Sequence, residues 1–305
     1  MPTGPAPDPG SVSAGGAESV ERGAVAAPSG QAGGTVLLLD FPIDLFGAAE
    51  WHWRALLREY LLRGLEGHDQ PYDMDAINRA GLALDVVSTA IDDVRGADGV
   101  GGRVDVVLDI SPADALDFAA LEGALDDAVR LTRREELLQL TPVPEFAALR
   151  TWISAEVTGQ AVGAAATPWE LPTRLSSDAA AAEWDHGIAP PPTVPWLVGD
   201  DQNRIVGASG AALSLLGWEE DELLGQRLLV VIPPALRERH VAAFSRSVLL
   251  GEDRLLGQPL PLPALTRTGG EIPITLTLSR HPARRGRTVY LALLEPRIPA
   301  DSDPA

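Results

Sequence analysis

The sequence predicts an α+β fold, and three observations carry that prediction. Apolar residues recur at helical spacing in four runs between Asp44 and Val157. Period-2 alternation, the mark of a half-buried strand, runs through Arg103–Ile110 and again through Ile272–Leu278. Turn-forming residues separate these runs, with Asp200-Asp-Gln-Asn203, Thr268-Gly-Gly270 and Arg284-Arg-Gly286 dividing the last third of the chain.

Taken in order, residues 1–34 are dominated by Pro, Gly, Ala and Ser and predict a disordered tail, as do residues 298–305. Val36-Leu-Leu-Leu-Asp-Phe41 predicts a short buried strand. Asp44–Leu65 predicts a helix with Phe46, Trp53, Leu56, Leu57, Tyr60 and Leu61 on one side and glycines 64 and 67 at its end. Ile77, Leu84, Val87, Ile91 and Val94 mark a second helix over Met74–Val94, closed by the glycine-rich turn Gly96–Gly102. Strand 103–110 follows. Ser111-Pro-Ala-Asp114 then opens a helix: serine can cap, proline suits the first turn, and aspartate favours the positive helix end. A last helix over Pro144–Val157 turns Phe146, Leu149, Trp152 and Ile153 inward. Residues 35–160 thus predict an α+β module richer in helix than in strand. Residues 161–194 predict an Ala/Pro-rich linker, stiffened at Pro190–Pro192, in which Trp169 and Trp184 are candidates for docking onto a domain.

Composition narrows the function. The 305 residues contain no cysteine, which excludes disulfides, thiolate nucleophiles, cysteine-ligated zinc or iron–sulfur centres and a cysteinyl-flavin adduct. They contain no lysine either, which excludes a P-loop lysine, a kinase lysine and a Schiff base. Arginine in place of lysine, with abundant Ala, Gly and Pro, suits a GC-rich bacterial genome. The net charge of −19 argues against nucleic acid as a partner. That charge sits in the first 194 residues, with 12 arginines against 30 acidic residues, whereas residues 195–297 hold 12 against 11. Solubility accounts for the acidic half; a face for a basic partner is the sharper alternative. Without a basic–apolar leader or a long apolar run, the expected location is the cytoplasm, away from the membrane.

In the last third, Trp196-Leu-Val-Gly199 and Arg204-Ile-Val-Gly207 predict strands on either side of the 200–203 turn. A helix begins at Ala211-Ala-Leu-Ser-Leu-Leu216, followed by Gly217-Trp-Glu-Glu-Asp-Glu-Leu-Leu-Gly225 and an Arg-bearing helix over Ala235–Leu250. Strands around Arg254–Leu265, Ile272–Leu278 and Val289–Leu293 complete the order. In this order, residues 195–297 resemble a PAS domain. The match departs at Ser209-Gly210, where relatives often place Asn, although serine also caps helices. The resemblance implies a five-stranded antiparallel sheet with helices over one face. The cavity between them holds haem, flavin or a metabolite in some relatives, while others serve as docking or dimerisation surfaces. Leu137-Leu-Gln-Leu-Thr-Pro142 with Phe146-Ala-Ala-Leu-Arg-Thr-Trp-Ile-Ser-Ala-Glu156 looks like a helical regulatory module of GC-rich bacterial signalling proteins.

These resemblances imply a signal-sensing regulator rather than an enzyme. It would work as a homodimer through the PAS domain and through a separate signalling partner, with a ligand that the sequence does not identify. The alternatives are a haem-based gas or redox sensor and a dimerisation adaptor without ligand. For haem, resemblance to oxygen-sensing relatives makes His240 the axial ligand and Arg246 a propionate partner. Leu260 stands where one type of relative has a distal arginine, against oxygen binding of that kind. Ser209 lacks the spacing of a hydrolase elbow and reads as a helix cap. The turn Gly99-Val-Gly-Gly102 precedes a strand, the reverse of a dinucleotide site. Adjacent acids at 92–93, 126–127 and 135–136 cannot share a helix face and read as solvated. His52, between two tryptophans with no companion histidine, reads as structural.

Overall fold

The computed structural model describes residues 34–65, 73–98, 102–172, 175, 180–251 and 255–297. Residues 1–33 of the predicted tail 1–34, the tail 298–305, Gly67, residues 99–101 of the predicted turn Gly96–Gly102 and Glu252–Arg254 lie outside the described residues; Gly34 opens the first strand, and residues 96–98 continue the second helix.

The amino-terminal module joins two antiparallel strands to four helices. Strand β1 (Gly34–Pro42) pairs with β2 (Arg103–Ile110), Val36 standing opposite Leu108 and Leu38 opposite Val106. All four of these side chains are buried. The register slips between Leu38 and Phe41, where Asp40 takes a left-handed conformation (φ 53°) and its amide donates to Asp105 Oδ1. This bulge turns Phe41 into the core.

Helices α1 (Ile43–Leu65), α2 (Met74–Asp98), α3 (Pro112–Arg133) and α4 (Pro144–Ala161) cover one face of the pair. Their periodic apolar residues become the core as predicted, and aromatic rings fill its centre. Phe41 lies 5.2 Å from Phe46, Trp53 meets Phe46 and Phe146 edge-on at 6.1 and 6.4 Å, and Trp152 lies 5.4 Å from Trp169. The start of α3 is a capping box. Ser111 Oγ accepts from the Asp114 amide at 3.3 Å, and Asp114 Oδ2 accepts from the Ser111 amide at 2.7 Å.

The predicted linker is more structured than its composition suggests. Trp169 is fully buried in the module core, with its amide on the Leu39 carbonyl, so residues 168–169 belong to the module. Further on, Ala182, Trp184 and Ile188 pack on Trp196, Val198, Val289 and Leu291, the outer face of the carboxy-terminal sheet. Trp184 Nε1 donates to the Val206 carbonyl at 3.2 Å. Gly207 makes room for this ring: a Cβ there would sit 2.7 Å from Trp184 Cζ2.

The carboxy-terminal domain is an antiparallel sheet in the order β4-β3-β7-β6-β5, built from β3 (Trp196–Asp200), β4 (Ile205–Ala208), β5 (Leu260–Leu265), β6 (Glu271–Pro282) and β7 (Thr288–Pro296). Between β4 and β5 run α5 (Gly210–Leu216), α6 (Glu220–Leu223), two 3-10 turns at Leu228–Val231 and Pro234–Leu236, and α7 (Arg237–Leu250). Ser209 caps α5 through Oγ, which accepts from the Ala212 amide, and Gly217 ends that helix at φ 72°. Strand β5 begins at Leu260 rather than near Arg254, because Gly257 turns the chain at φ 71° and Pro259 follows. Among the described residues no helix is long and apolar enough to cross a membrane.

Candidate functional site

Helices and sheet of the carboxy-terminal domain enclose a cavity of about 230 Å³. The strand alternation builds one wall. Leu197 and Gly199 of β3, Ile274, Leu276 and Leu278 of β6, and Tyr290, Ala292 and Leu294 of β7 point into it. Leu228, Val231, Leu236 and one side of α7 (His240, Ala243, Phe244, Ser247) form the other. The lining is aliphatic apart from His240, Phe244, Ser247 and Tyr290. Among the described residues it includes no Asp, Glu or Arg.

His240 is the polar residue of this wall with the clearest geometry. Its ring stacks on Phe244 at 5.9 Å, and Phe244 meets Tyr290 edge-on at 5.4 Å. Nε2 lies 2.9 Å from Asn203 Oδ1. A carboxamide oxygen only accepts, so, with Oδ1 facing the ring, Nε2 carries the proton and Nδ1 is left as an acceptor, while Asn203 Nδ2 is buried without a hydrogen bond. Burial, with the Arg227 guanidinium adding to it, pushes the pKa from 6.5 to about 4, and the ring is neutral at pH 7. The remaining exposure of His240 is consistent with its place in the cavity wall.

Asn203 ends the β3–β4 turn. The sequence predicts the turn but not its burial: Asp200, Asp201, Gln202 and Asn203 are all buried. Asp200 Oδ1 accepts from the amides of Gln202 and Arg204, both at 3.0 Å, and Asn203 sits at φ 58°. Arg287 pairs with Asp200 and Asp201. The turn is fixed in turn to the module. Gln202 Nε2 donates to the Thr141 carbonyl at 3.0 Å, and the Gln202 carbonyl accepts from Arg227. Arg227 forms a buried ion pair with Glu145 at the start of α4, its Nη2 2.6 Å from Glu145 Oε1.

The opposite side of α7 also belongs to the module. Val241 and Ala242 are fully buried in the module core, with Leu229, and α7 packs on α1. Glu238, two residues before His240, accepts from Trp169 Nε1 at 2.7 Å and from Arg103 Nη2 at 2.8 Å. The cavity and the module therefore share α7 as a wall.

The structure brings His240 to the cavity but not Arg246, which does not line it. Haem has two carboxylates, and no cationic side chain among the described residues meets them there. The nitrogen Nε2 is already held by Asn203. The expected pair of haem contacts is thus not assembled. The acidic pairs behave as predicted surface groups, Asp126 facing Arg150 and Asp127 facing Arg130 and Tyr60. Among the described residues no cluster of His, Asp and Glu is arranged to hold a metal ion. His52 is fully buried without a well-formed hydrogen bond to either ring nitrogen. Burial pushes its pKa down to about 4, the Leu140 backbone only partly opposing this.

Sequence reasoning missed Asn203, Arg227 and Glu145. Asn203 reads as an ordinary turn residue. Arg227 and Glu145 lie 82 positions apart, and nothing local marks either as paired.

The family model described as PAS fold matches residues 193–295. No curated protein matches the chain. Among solved structures, 34% of the chain aligns with 92% of the PAS domain of a Desulfitobacterium hafniense protein at 18% identity and TM-score 0.28. The same share aligns with 86% of the PAS domain of an HTR-like protein from Haloarcula marismortui at 18% identity and TM-score 0.27. It also aligns with 85% of the PAS domain of the fruit-fly ELK potassium channel at 15% identity and TM-score 0.27. Residues 193–295 are a PAS domain, which gives this chain a signal-sensing or regulatory role.

Proposed function

We propose that the chain is a sensor without enzymatic activity, in which the PAS cavity takes a small molecule and α7 passes the state of the cavity to the amino-terminal module. The observation that carries this reading is the shared wall. His240, Ala243, Phe244 and Ser247 face the cavity, while Val241 and Ala242 sit in the module core. A guest that moves the first set moves the second, because packed side chains do not deform continuously. The acidic module then presents the altered surface to a separate signalling protein in the cytoplasm.

Filling the cavity tests the relay. In a Leu276→Trp variant, hydrogen exchange is expected to change in α7 and α1 as well as in the sheet. A change confined to β5–β7 would sink the relay.

Self-association through the PAS sheet remains part of the proposal, but not over β3 and β7, whose outer face the chain's own residues 182–189 already cover. Light scattering at rising concentration reads the mass of any dimer.

A further inference from the structure

Resting on the cavity reading above, we propose that the ligand is an uncharged, largely apolar molecule of bicyclic size with one hydrogen-bond donor, which it gives to His240 Nδ1. Three features of the site converge on that class. The first is size: an apolar cavity of about 150 Å³ holds benzene, and this one measures about 230 Å³. The second is charge. The lining combines aliphatic side chains from four strands with the Phe244 and Tyr290 rings, and no formal charge stands among its described residues to compensate an ionised guest. Burying an unpaired charge in such surroundings is strongly unfavourable.

The third feature is the histidine. Asn203 Oδ1 fixes the proton on Nε2, and Asn203 is itself held in the buried turn that Gln202 and Arg227 tie to the module. The ring is thereby set in one tautomer and one orientation, with Phe244 stacked on it. Nδ1 has no partner among the described residues, yet it is not a sealed-off atom. As a neutral acceptor on a wall whose other polar groups are the Ser247 and Tyr290 hydroxyls, it selects a hydroxyl or N–H over a carboxylate, which offers no proton at neutral pH, and over a hydrocarbon, which has none to give.

The test titrates the full chain, methyl-labelled at Leu, Ile and Val, with 2-naphthol, naphthalene and 2-naphthoate, followed by NMR. The expected result is shifts at Leu276, Leu278, Ile274 and Leu294 with both neutral probes. Naphthol should bind roughly three- to tenfold tighter than naphthalene, the worth of one neutral hydrogen bond, and naphthoate weakest. In His240→Phe, which keeps the ring stack, naphthol should fall to the affinity of naphthalene. Naphthoate binding as well as naphthol, or naphthol no better than naphthalene, would overturn the ligand class and leave the sensory cavity standing. A naphthol preference that survives in His240→Phe would overturn the role of His240. Failure of all three probes to shift the cavity methyls would overturn the cavity reading itself.

Discussion

The two halves of this protein bury apolar surface in opposite ways. In the module, long helices bring large rings together, and Phe41, Phe46, Trp53 and Phe146 leave the centre full. In the PAS domain, α5 and α6 are only 7 and 4 residues long and stand on a sheet whose inner face is mostly Leu, Ile and Ala. Short elements with aliphatic side chains do not close the space above the sheet, and a cavity stays. The contrast teaches that this cavity lies on one face of α7, while Val241 and Ala242 on the other face are fully buried.

The largest effect should come from breaking what joins the halves. In Arg227→Met, Glu145 remains fully buried without its partner. Loss of one member of a buried pair costs about 3–5 kcal/mol, which urea denaturation of the full chain will measure. Glu145→Gln combined with Arg227→Met should recover part of that loss.

Much of this contrast is legible in the sequence, and the limits are physical. The helices of the module show because each exposes one side and buries the other, so Phe46, Trp53 and Leu56 announce their face. The capping box at Ser111 and Asp114 and the cap at Ser209 show because they are contacts within three residues. The cavity does not show: Leu276 and Leu294 look like any core residues, and only the size of what lies opposite decides whether the space is filled. Trp169 shows as a docking candidate because a large ring stands among Ala- and Pro-rich linker neighbours, but where it docks does not show, since that depends on Leu39 and Trp152. Likewise, the burial of Asn203 depends on residues 37 positions away in α7 and on a segment of the module.

A smaller effect compares one histidine of each half, the buried His52 and the part-buried His240. His52 and His240 both have their pKa pushed from 6.5 to about 4. The folded chain therefore takes up these protons less readily than the unfolded chain. Stability is intact above pH 6.5, falls as the pH drops from there towards 4, and levels off below. For His52, whose burial the Leu140 backbone only partly offsets, the loss is on the order of 3 kcal/mol. A His52→Phe variant should lose that share of the acid sensitivity, seen as a flatter plot of urea midpoint against pH. An unchanged plot would show that His52 is not the group responsible.

The smallest effect tests full against hollow most directly. Enlarging a side chain in the module core, Ala128→Leu, should destabilise by about 1–3 kcal/mol through overpacking. The same change on the cavity wall, Ala292→Leu, should stabilise by about 0.5–2 kcal/mol by filling space. Opposite signs in thermal unfolding would support the contrast; equal destabilisation would mean that the cavity has no room to spare.

The sharing of α7 also separates two boundaries that are commonly treated as one. The segment that matches the PAS family ends its claim at residues 193–295, but Leu229, Val241 and Ala242 find their burial in another part of the chain, and so does the charge of Arg227. Excised on its own, that segment would carry an apolar stripe into water and leave Arg227 without its Glu145 counter-charge. The segment that the family model matches is thus smaller than the unit that packs together, and the two parts should melt together in a single cooperative transition.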